Sequence, residues 1–292
     1  MKSLQKLIAL CASTVLFASY GTSAFAIGDV GNDDERWLIY HVYDADSNTQ
    51  YTDRTYTLSA TTSTSVSSRI VIGNTDSREV DFSKSGVVKL IYGDSFGTGF
   101  VVDSHVIATA GHCAMHAIDS ILLFNSDGTV ALSATPIERH VPYEYEISAD
   151  DHEYYNDYGL ITVEEDLTDY IQFNLGIALD QAIMNNQAVS VTGFPGMVQN
   201  ATVNTPTVHG MYTGSGTLVN SNSSTDCSIY RLKYDADTSG GNSGGPVYVT
   251  TTYGGNTYYT AIAIHTTSGN SGVRMNRDVI CFYLNNPNIE YS

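Results

Sequence analysis

Basic side chains are scarce in this sequence. Its 292 residues carry 13 Lys and Arg against 31 Asp and Glu, so the formal net charge is −18 at pH 7. Nucleic acids and anionic membranes bind to positive fields, and this composition therefore argues against both as partners. Only 15% of the residues are charged while 42% are hydrophobic, a balance that is typical of a packed globular protein and not of a disordered chain.

Long apolar runs are also missing. The run from Leu7 to Tyr20 is too short to span a bilayer, and no later run is long enough. It follows Lys2 and Lys6 and precedes the small-residue segment that ends at Ala26, an order typical of a secretory signal peptide. We therefore expect residues 1–26 to be removed and the product to be secreted to the extracellular space without a membrane anchor.

Cysteine is rare as well. Of the four cysteines, Cys11 lies in the signal segment, which leaves Cys113, Cys227 and Cys281. Three cysteines form at most one intramolecular disulfide, for which Cys227 and Cys281 are the first candidates, and leave one free thiol. The fold is therefore expected to depend on its core and not on a cystine framework.

Residues 27–69 differ in composition from the chain that follows. They are rich in Asp, contain the only tryptophan, Trp37, and end in a Ser/Thr-rich stretch that is typical of a linker. We interpret 27–69 as a pro-segment. Activation by cleavage between Arg69 and Ile70 would leave 223 residues, which suits one all-β unit of one or two barrels.

Short β-branched or aromatic runs between turn clusters predict an all-β fold for this part. Gly254-Gly255-Asn256 separates two such runs and predicts a hairpin. Helix signals are few, the best being 276–284 near the end of the chain. The predicted strands are 87–91, 99–102, 158–163, 188–192, 228–234, 247–253 and 257–264.

Three segments carry the residue types of serine acyl transfer. That chemistry needs a hydroxyl, an imidazole that accepts its proton and a carboxylate that orients the imidazole. The candidates, in chain order, are His112, Asp157 and Ser243. Ser243 lies among glycines, and a tight turn there would let the N–H groups of Gly241 and Ser243 stabilise an oxyanion.

Competing interpretations exist for these segments. Asp150 and Asp151 are alternative carboxylates, although neither precedes an apolar run as Asp157 does. His116 and Cys113, close to His112 in the chain, also suggest a metal site. No second Cys/His cluster supplies the remaining ligands, so we expect no metal and no cofactor.

The three motifs together resemble the trypsin-like serine proteases, and the fuller pattern is similar to secreted bacterial glutamyl endopeptidases. The resemblance covers roughly residues 70–285 and includes 71–78, 193–196 and 264–266. It implies a chymotrypsin-like fold of two antiparallel β-barrels with the active site between them. We expect these barrels over 70–180 and 181–292, with a short C-terminal helix, in a monomer that acts on protein or peptide substrates.

The resemblance also implies a specificity pocket. Thr238, five residues before the nucleophile, and His265 match the positions that bind the carboxylate of a substrate Glu, and both can donate hydrogen bonds to it. From the residues alone, His265 is typical of a core histidine. Asp237 keeps an Arg/Lys pocket open, because trypsin-type enzymes place a carboxylate there. A carboxylate facing a substrate carboxylate costs affinity, so the orientation of Asp237 decides between the two pockets.

Further expectations concern activation, Cys113 and alternative functions. The resemblance implies that the freed amine of Ile70 lies near the pocket, and Asn242 replaces the Asp that pairs with this amine in trypsin-type enzymes. A Glu-specific enzyme requires an external activating protease to cut after Arg69. The partner cysteine that many relatives provide for Cys113 is missing from 97–100. A non-catalytic protease-like binding module and an esterase remain alternative functions.

Overall fold

The computed structural model describes residues 40–44, 69–70, 76–142, 145, 155–176, 178, 186–198, 210–219, 230–267 and 270–284. The predictions made for the signal segment, Trp37, Asp150, Asp151 and Cys227 fall outside these residues. The side chain of Cys281 is also outside them, so its pairing with Cys227 stays a prediction.

The described residues form eighteen strands and two α-helices. The strands are β1 (Tyr40–Asp44), β2 (Arg69–Ile70), β3 (Glu79–Val80), β4 (Val87–Tyr92), β5 (Ser95–Asp103), β6 (Val106–Thr109), β7 (Ser120–Phe124), β8 (Val130–Ala134), β9 (Pro136–Pro142), β10 (Gly159–Val163), β11 (Phe173–Leu175), β12 (Ala188–Gly193), β13 (Tyr212–Thr217), β14 (Arg231–Lys233), β15 (Thr238–Ser239), β16 (Pro246–Tyr253), β17 (Asn256–Thr267) and β18 (Ser271–Arg274). The helices are α1 (Gly111–Ala114) and α2 (Arg277–Leu284), and a 3₁₀ turn covers Thr168–Tyr170.

Two eight-stranded sheets and one two-stranded sheet organise these strands. The first sheet has the order β1-β9-β10-β6-β5-β4-β7-β8. The second has the order β14-β18-β17-β16-β12-β13-β3, and β11 joins it by pairing in parallel with β17. All other pairings are antiparallel, and α2 follows the last strand. The predicted all-β fold of two antiparallel barrels with a short C-terminal helix is confirmed.

Aromatic side chains fill the space between the two large sheets. Phe100 of the first sheet contacts Phe173 of the second with ring centroids 5.6 Å apart, and Phe173 contacts Tyr248 at 5.3 Å. Both pairs meet edge to face, the arrangement that aromatic rings favour. Phe124 contacts Phe194 at 5.2 Å in the same region. These aromatic contacts pack the two sheets against each other.

The hairpin between β16 and β17 forms at the predicted position. Gly254 and Gly255 have φ values of +59° and +83°, which two-residue hairpin turns require and which glycine adopts without strain. The two strands pair from Tyr253 with Asn256 back to Pro246 with Ile264.

Two short strands connect the predicted pro-segment to the rest of the protein. The backbone of β1 pairs with β9 at the edge of the first sheet, from Tyr40 with Pro142 to Asp44 with Glu138. The backbone of β2 pairs with β15, so that Ile70 lies opposite Thr238 and Arg69 opposite Ser239. The proposed cleavage point therefore lies beside the strand that carries Thr238.

Candidate active site

His112 and Asp157 are brought together by adjacent strands. β6 runs into α1, which contains His112, while Asp157 directly precedes β10, and β6 and β10 pair with Gly159 opposite Thr109. Asp157 Oδ2 lies 2.9 Å and Oδ1 3.1 Å from His112 Nδ1. Oδ1 also accepts a hydrogen bond from the backbone N–H of His112 at 2.8 Å. The carboxylate therefore fixes both the ring and the main chain of this histidine.

The electrostatic environment of His112 favours its protonated form. Burial is the largest single effect and lowers its pKa, but the Asp157 carboxylate and Cys113 together outweigh burial, and the pKa lies well above its usual value. Asp157 accepts from Nδ1, so Nδ1 keeps its hydrogen when the ring loses a proton, and Nε2 is the acceptor of the neutral ring. The His112 side chain is still 36% exposed, whereas that of Asp157 is 5% exposed. The ring can therefore meet a substrate while its orienting carboxylate stays buried.

The loop around Ser243 is docked directly on the first sheet. Ser243 carbonyl oxygen accepts a hydrogen bond from Thr98 N–H at 2.8 Å and one from Cys113 Sγ at 3.6 Å. Gly244 has φ +88°, and a Cβ at that position would lie 2.0 Å from the carbonyl oxygen of Thr98. Only glycine permits this approach. The loop thus places Ser243 beside the residue that follows His112.

In this loop, the backbone N–H of Asn242 donates a hydrogen bond to a described residue, whereas the N–H groups of its two neighbours do not. Asn242 N–H donates to Ser239 carbonyl oxygen at 3.1 Å, and the Asn242 side-chain oxygen accepts from Ser239 N–H at 3.1 Å. Within the described part of the chain, the N–H groups of Gly241 and Ser243 donate no hydrogen bond. Gly241 has φ +94°, as such a turn requires. Asn242 therefore holds the loop closed, and the two predicted oxyanion donors remain unpaired.

Thr98 is a further residue of the site that sequence reasoning missed. Its hydroxyl donates to Gly241 carbonyl oxygen at 2.7 Å and accepts from Phe194 N–H at 3.1 Å. Its own carbonyl oxygen accepts from the Thr109 hydroxyl at 2.7 Å. A hydroxyl residue between two glycines of an otherwise apolar strand is the only signal that could have indicated it. Thr98 ties β5 of the first sheet to the Ser243 loop of the second.

The predicted pocket residues Thr238 and His265 also lie close to this loop. Gly244 N–H donates to His265 carbonyl oxygen at 2.7 Å, and His265 N–H donates to Gly245 carbonyl oxygen at 2.9 Å. The Thr238 hydroxyl donates to Asn270 Oδ1 at 2.6 Å. Thr238 is fully buried and His265 is 2% exposed.

His265 is neutral at physiological pH. Burial is the main cause, the positive charges of Arg231 and His112 add to it, and together they lower the pKa of His265 to about 3. Its Nδ1 is hydrogen-bonded to the Tyr234 hydroxyl, whose own pKa burial raises well above the usual value. A charged imidazole, which the sequence left open, is therefore not the resting state. Tyr234 is a second residue that sequence reasoning missed.

The Asp237 side chain accepts hydrogen bonds from the segment that precedes β3. One carboxylate oxygen, Oδ2, accepts hydrogen bonds from Ser77 N–H at 2.8 Å and from the Ser77 hydroxyl at 2.7 Å. The next residue, Arg78, donates to the Ser239 hydroxyl at 2.9 Å and to Met197 carbonyl oxygen at 2.7 Å. Asp237 is 3% exposed and so belongs to the packed base of the loop.

The described residues contain neither a metal-binding cluster nor a membrane-spanning helix. Among the described side chains, no group of three His, Cys, Asp or Glu residues could hold a metal ion. His116 stacks on Tyr92, with ring centroids 4.4 Å apart, and Cys113 is a buried free thiol. Over the described ranges, no helix combines the length and apolar character needed to cross a bilayer.

Comparison with known proteins agrees with this architecture. A family model for the trypsin-like peptidase domain matches residues 97–254. Among solved structures, a Glu endopeptidase in complex with MPD matches with a TM-score of 0.57 and 18% identity, covering 74% of this chain and 98% of that one. HL collagenase matches with a TM-score of 0.50 and 15% identity, covering 74% of this chain and 96% of the other. At these identities the two structures show the fold alone.

No curated protein matches the sequence. The family model nevertheless spans more than half of the chain, and the matched range contains the His112, Asp157 and Ser243 segments whose contacts are described above. The chain therefore belongs to the trypsin-like peptidase family.

Proposed function

We propose that this peptidase is a secreted endopeptidase that cleaves after Glu, with His112, Asp157 and Ser243 as its catalytic triad. The observation that carries the triad is the Asp157 carboxylate, which contacts both His112 Nδ1 and the His112 backbone N–H. It leaves Nε2 as the acceptor for the Ser243 proton. A binding module has no chemical need of this contact, and the match to a peptidase domain favours peptide over ester substrates.

The proposed reaction follows from these atoms. Ser243 Oγ bonds to the scissile carbonyl carbon while its proton moves to His112 Nε2, and the carbonyl electron pair moves to the oxygen. The N–H groups of Gly241 and Ser243 stabilise that oxyanion. When the tetrahedral species collapses, the C–N bond breaks and His112 returns the proton to the leaving amine. Water then repeats the sequence on the acyl-enzyme, which releases a carboxylic acid and free Ser243.

The preference for Glu rests on the polar residues predicted to line the pocket. Thr238 and His265 lie behind the Ser243 loop, while the Asp237 carboxylate accepts two hydrogen bonds from Ser77. A substrate carboxylate beside His265 would raise the pKa of that ring and strengthen the contact. The Arg/Lys alternative needs Asp237 turned towards the substrate, and its contacts with Ser77 weigh against it.

Processing completes the proposal. Residues 1–26 direct export, an external protease cuts after Arg69 and the new amine of Ile70 adds positive charge to the pocket. The pairing of β2 with β15 supports the last step, since Ile70 lies opposite Thr238. From Ile70 the chain carries eight Lys and Arg against 24 Asp and Glu, so the overall field repels acidic substrates. Local donors must therefore provide the preference for Glu.

Matched peptides that carry Glu, Gln, Asp, Arg or Phe before the scissile bond test the proposal on chain beginning at Ile70. We expect kcat/KM to be highest for Glu and hydrolysis to be lost in Ser243→Ala. Preference for Arg would instead identify Asp237 as the residue that binds the substrate side chain. No cleavage, together with no labelling of Ser243 by a serine-directed phosphonate, would favour the binding module.

A further inference from the structure

The side-chain amide of Asn270 is buried, and only its oxygen is hydrogen-bonded within the described part of the chain. It is 2% exposed and lies directly before β18, with φ +48°. Its Oδ1 accepts the hydrogen bond from the Thr238 hydroxyl at 2.6 Å. Among the described residues, its Nδ2 has no hydrogen-bond partner, although a buried polar nitrogen of this kind is nearly always paired in native proteins. The two hydrogens of this amide are therefore left without an acceptor in this part of the chain.

The position of Asn270 links it to both predicted pocket residues. Its carbonyl oxygen accepts from Tyr234 N–H at 3.0 Å, and the Tyr234 hydroxyl is hydrogen-bonded to His265 Nδ1. In the pairing of β17 with β18, His265 lies opposite Gly272, two residues after Asn270. Thr238, His265 and Asn270 thus form one connected group behind the Ser243 loop.

The hydrogen bond from Thr238 changes what that residue can offer a substrate. A hydroxyl carries a single hydrogen, and Thr238 has already donated it to Asn270. While that bond persists, Thr238 can accept but cannot donate to a carboxylate. The donor on this side of the pocket is then the Asn270 amide, which Thr238 holds in a fixed orientation.

We propose that Asn270 is a specificity-determining residue whose Nδ2 donates a hydrogen bond to the side-chain carboxylate of a substrate Glu. Thr238 acts as a positioning residue for this amide. The inference rests on the proposed cleavage after Glu. It also predicts discrimination against Gln, because a Gln side chain is uncharged and offers one acceptor oxygen where a carboxylate offers two, so it cannot accept from Asn270 and His265 through separate oxygens.

Asn270→Gly is the first test variant, since glycine adopts positive φ without strain and removes the donor without adding charge. Asn186→Gly is its matched control, because Asn186 also has positive φ, +65°, but is exposed and lies outside the site. For chain beginning at Ile70, we expect Asn270→Gly to lower kcat/KM for the Glu peptide by about 10- to 100-fold, the effect of losing a hydrogen bond to a charged group. Cleavage of the Phe peptide should stay within about twofold of wild type, as should all substrates with Asn186→Gly.

Asn270→Asp is the second variant and keeps the acceptor for Thr238. It loses the donor and brings a negative charge to the substrate carboxylate, so cleavage after Glu should fall further than in Asn270→Gly while cleavage after Phe persists. This variant tests the inference even if Asn270→Gly fails to fold, which thermal unfolding will show. Equal losses on Glu and Phe peptides, or an unchanged ratio of Glu to Phe cleavage, would overturn the inference. A wild-type enzyme without preference for Glu would instead overturn the proposed function, and the inference with it.

Discussion

The carboxylate of Asp157 serves two groups of His112 at once. One oxygen accepts from the backbone N–H, and both lie within hydrogen-bonding distance of Nδ1. An amide at this position would keep one acceptor oxygen but replace the other by a donor. The ring would then be held in the wrong tautomer for accepting the Ser243 proton.

Asp157→Asn should therefore lower kcat on the order of 10⁴-fold at neutral pH with little change in fold. Steady-state hydrolysis of the Glu peptide and circular dichroism measure the two effects. Asp166→Asn is the control, because Asp166 is an exposed carboxylate that caps a turn at Thr168 and has no contact with His112 among its hydrogen bonds. Near-normal turnover in Asp157→Asn would remove Asp157 from the triad.

The neutral state of His265 makes stability depend on pH. Because its pKa is about 3 in the folded protein and about 6.5 when exposed, the unfolded chain binds more protons between these values, and stability falls as the pH drops through this window. Arg231 and His112 add to burial in lowering this pKa, whereas Asp157 opposes them. His265→Gln removes the titration and keeps a polar side chain.

In a Ser243→Ala background, which prevents self-digestion, denaturant unfolding at pH 7 and pH 5 measures the effect. We expect the protein with His265 to lose about 2 kcal/mol more stability than the His265→Gln variant over this interval. Equal losses in the two proteins would show that His265 does not titrate in this window.

Residues differ in how far the sequence predicts their roles. His112, Asp157 and Ser243 lie in local motifs whose neighbours share the same task. Thr98 acts on Gly241, 143 positions away, and Asn270 acts on Thr238, 32 positions away. Neither has a local motif, so only the folded chain shows that a hydroxyl and an amide are used there.

At the scale of elements, β5 and α1 lie close enough to be joined covalently. A Cβ at Gly97 would lie 2.9 Å from Cys113 Sγ, and in a disulfide the Cβ of one cysteine lies about 3 Å from the sulfur of the other. The partner cysteine that this chain lacks would therefore fit at Gly97.

Gly97→Cys should form a disulfide with Cys113 when oxidised glutathione accepts the two electrons and two protons of the thiols. The closed loop is short, and its formation should add about 3 kcal/mol of stability. Peptide mapping under non-reducing conditions identifies the bond, and unfolding with and without reductant measures its effect. Gly97→Ser, which adds a side chain of similar size but no thiol, is the control. If Cys113 stayed reactive after oxidation and unfolding, the predicted geometry would be wrong.

Strands, like single residues, differ in how far the sequence predicts them. β16 and β17 are predictable because they are long, rich in β-branched and aromatic residues, and joined by a Gly-Gly turn. β13 was not predicted, because Gly214 and Gly216 disfavour a strand by composition. The reason for these glycines is a crossing chain: a Cβ at Gly214 would lie 2.6 Å from Asp237 carbonyl oxygen, and one at Gly216 2.5 Å from Ala236 N. The segment that leads to the pocket passes directly over β13.

At the scale of the whole molecule, removal of the pro-segment can be followed by tryptophan fluorescence. Trp37 is the only tryptophan and lies in residues 27–69. If cleavage after Arg69 is followed by release, active enzyme purified by gel filtration should have no tryptophan emission on excitation at about 295 nm, with the Ser243→Ala precursor as the positive control. Trp37 emission in the active fraction would contradict release, although mass spectrometry could still show that the bond is cut.

The sequence predicts the fold of the whole molecule, but it does not predict how the pro-segment pairs with the rest of the protein. Short strands and few helix signals indicated an all-β unit of one or two barrels, and the resemblance carried by the three motifs implied two antiparallel barrels. The pairing of β1 with β9 has no signature in the sequence, because five residues of mixed polarity become a strand only when an edge is available to them.

That pairing has a consequence for solubility. β9 lies between β1 and β10, so loss of β1 would leave its outer backbone groups unpaired, and an open strand edge can pair with a second molecule and start aggregation. Pro136 and Pro142 stand at the two ends of β9 and lack the N–H that such growth needs. If residues 27–69 leave as proposed, β1 protects this edge until the segment is released, after which the prolines limit polymerisation.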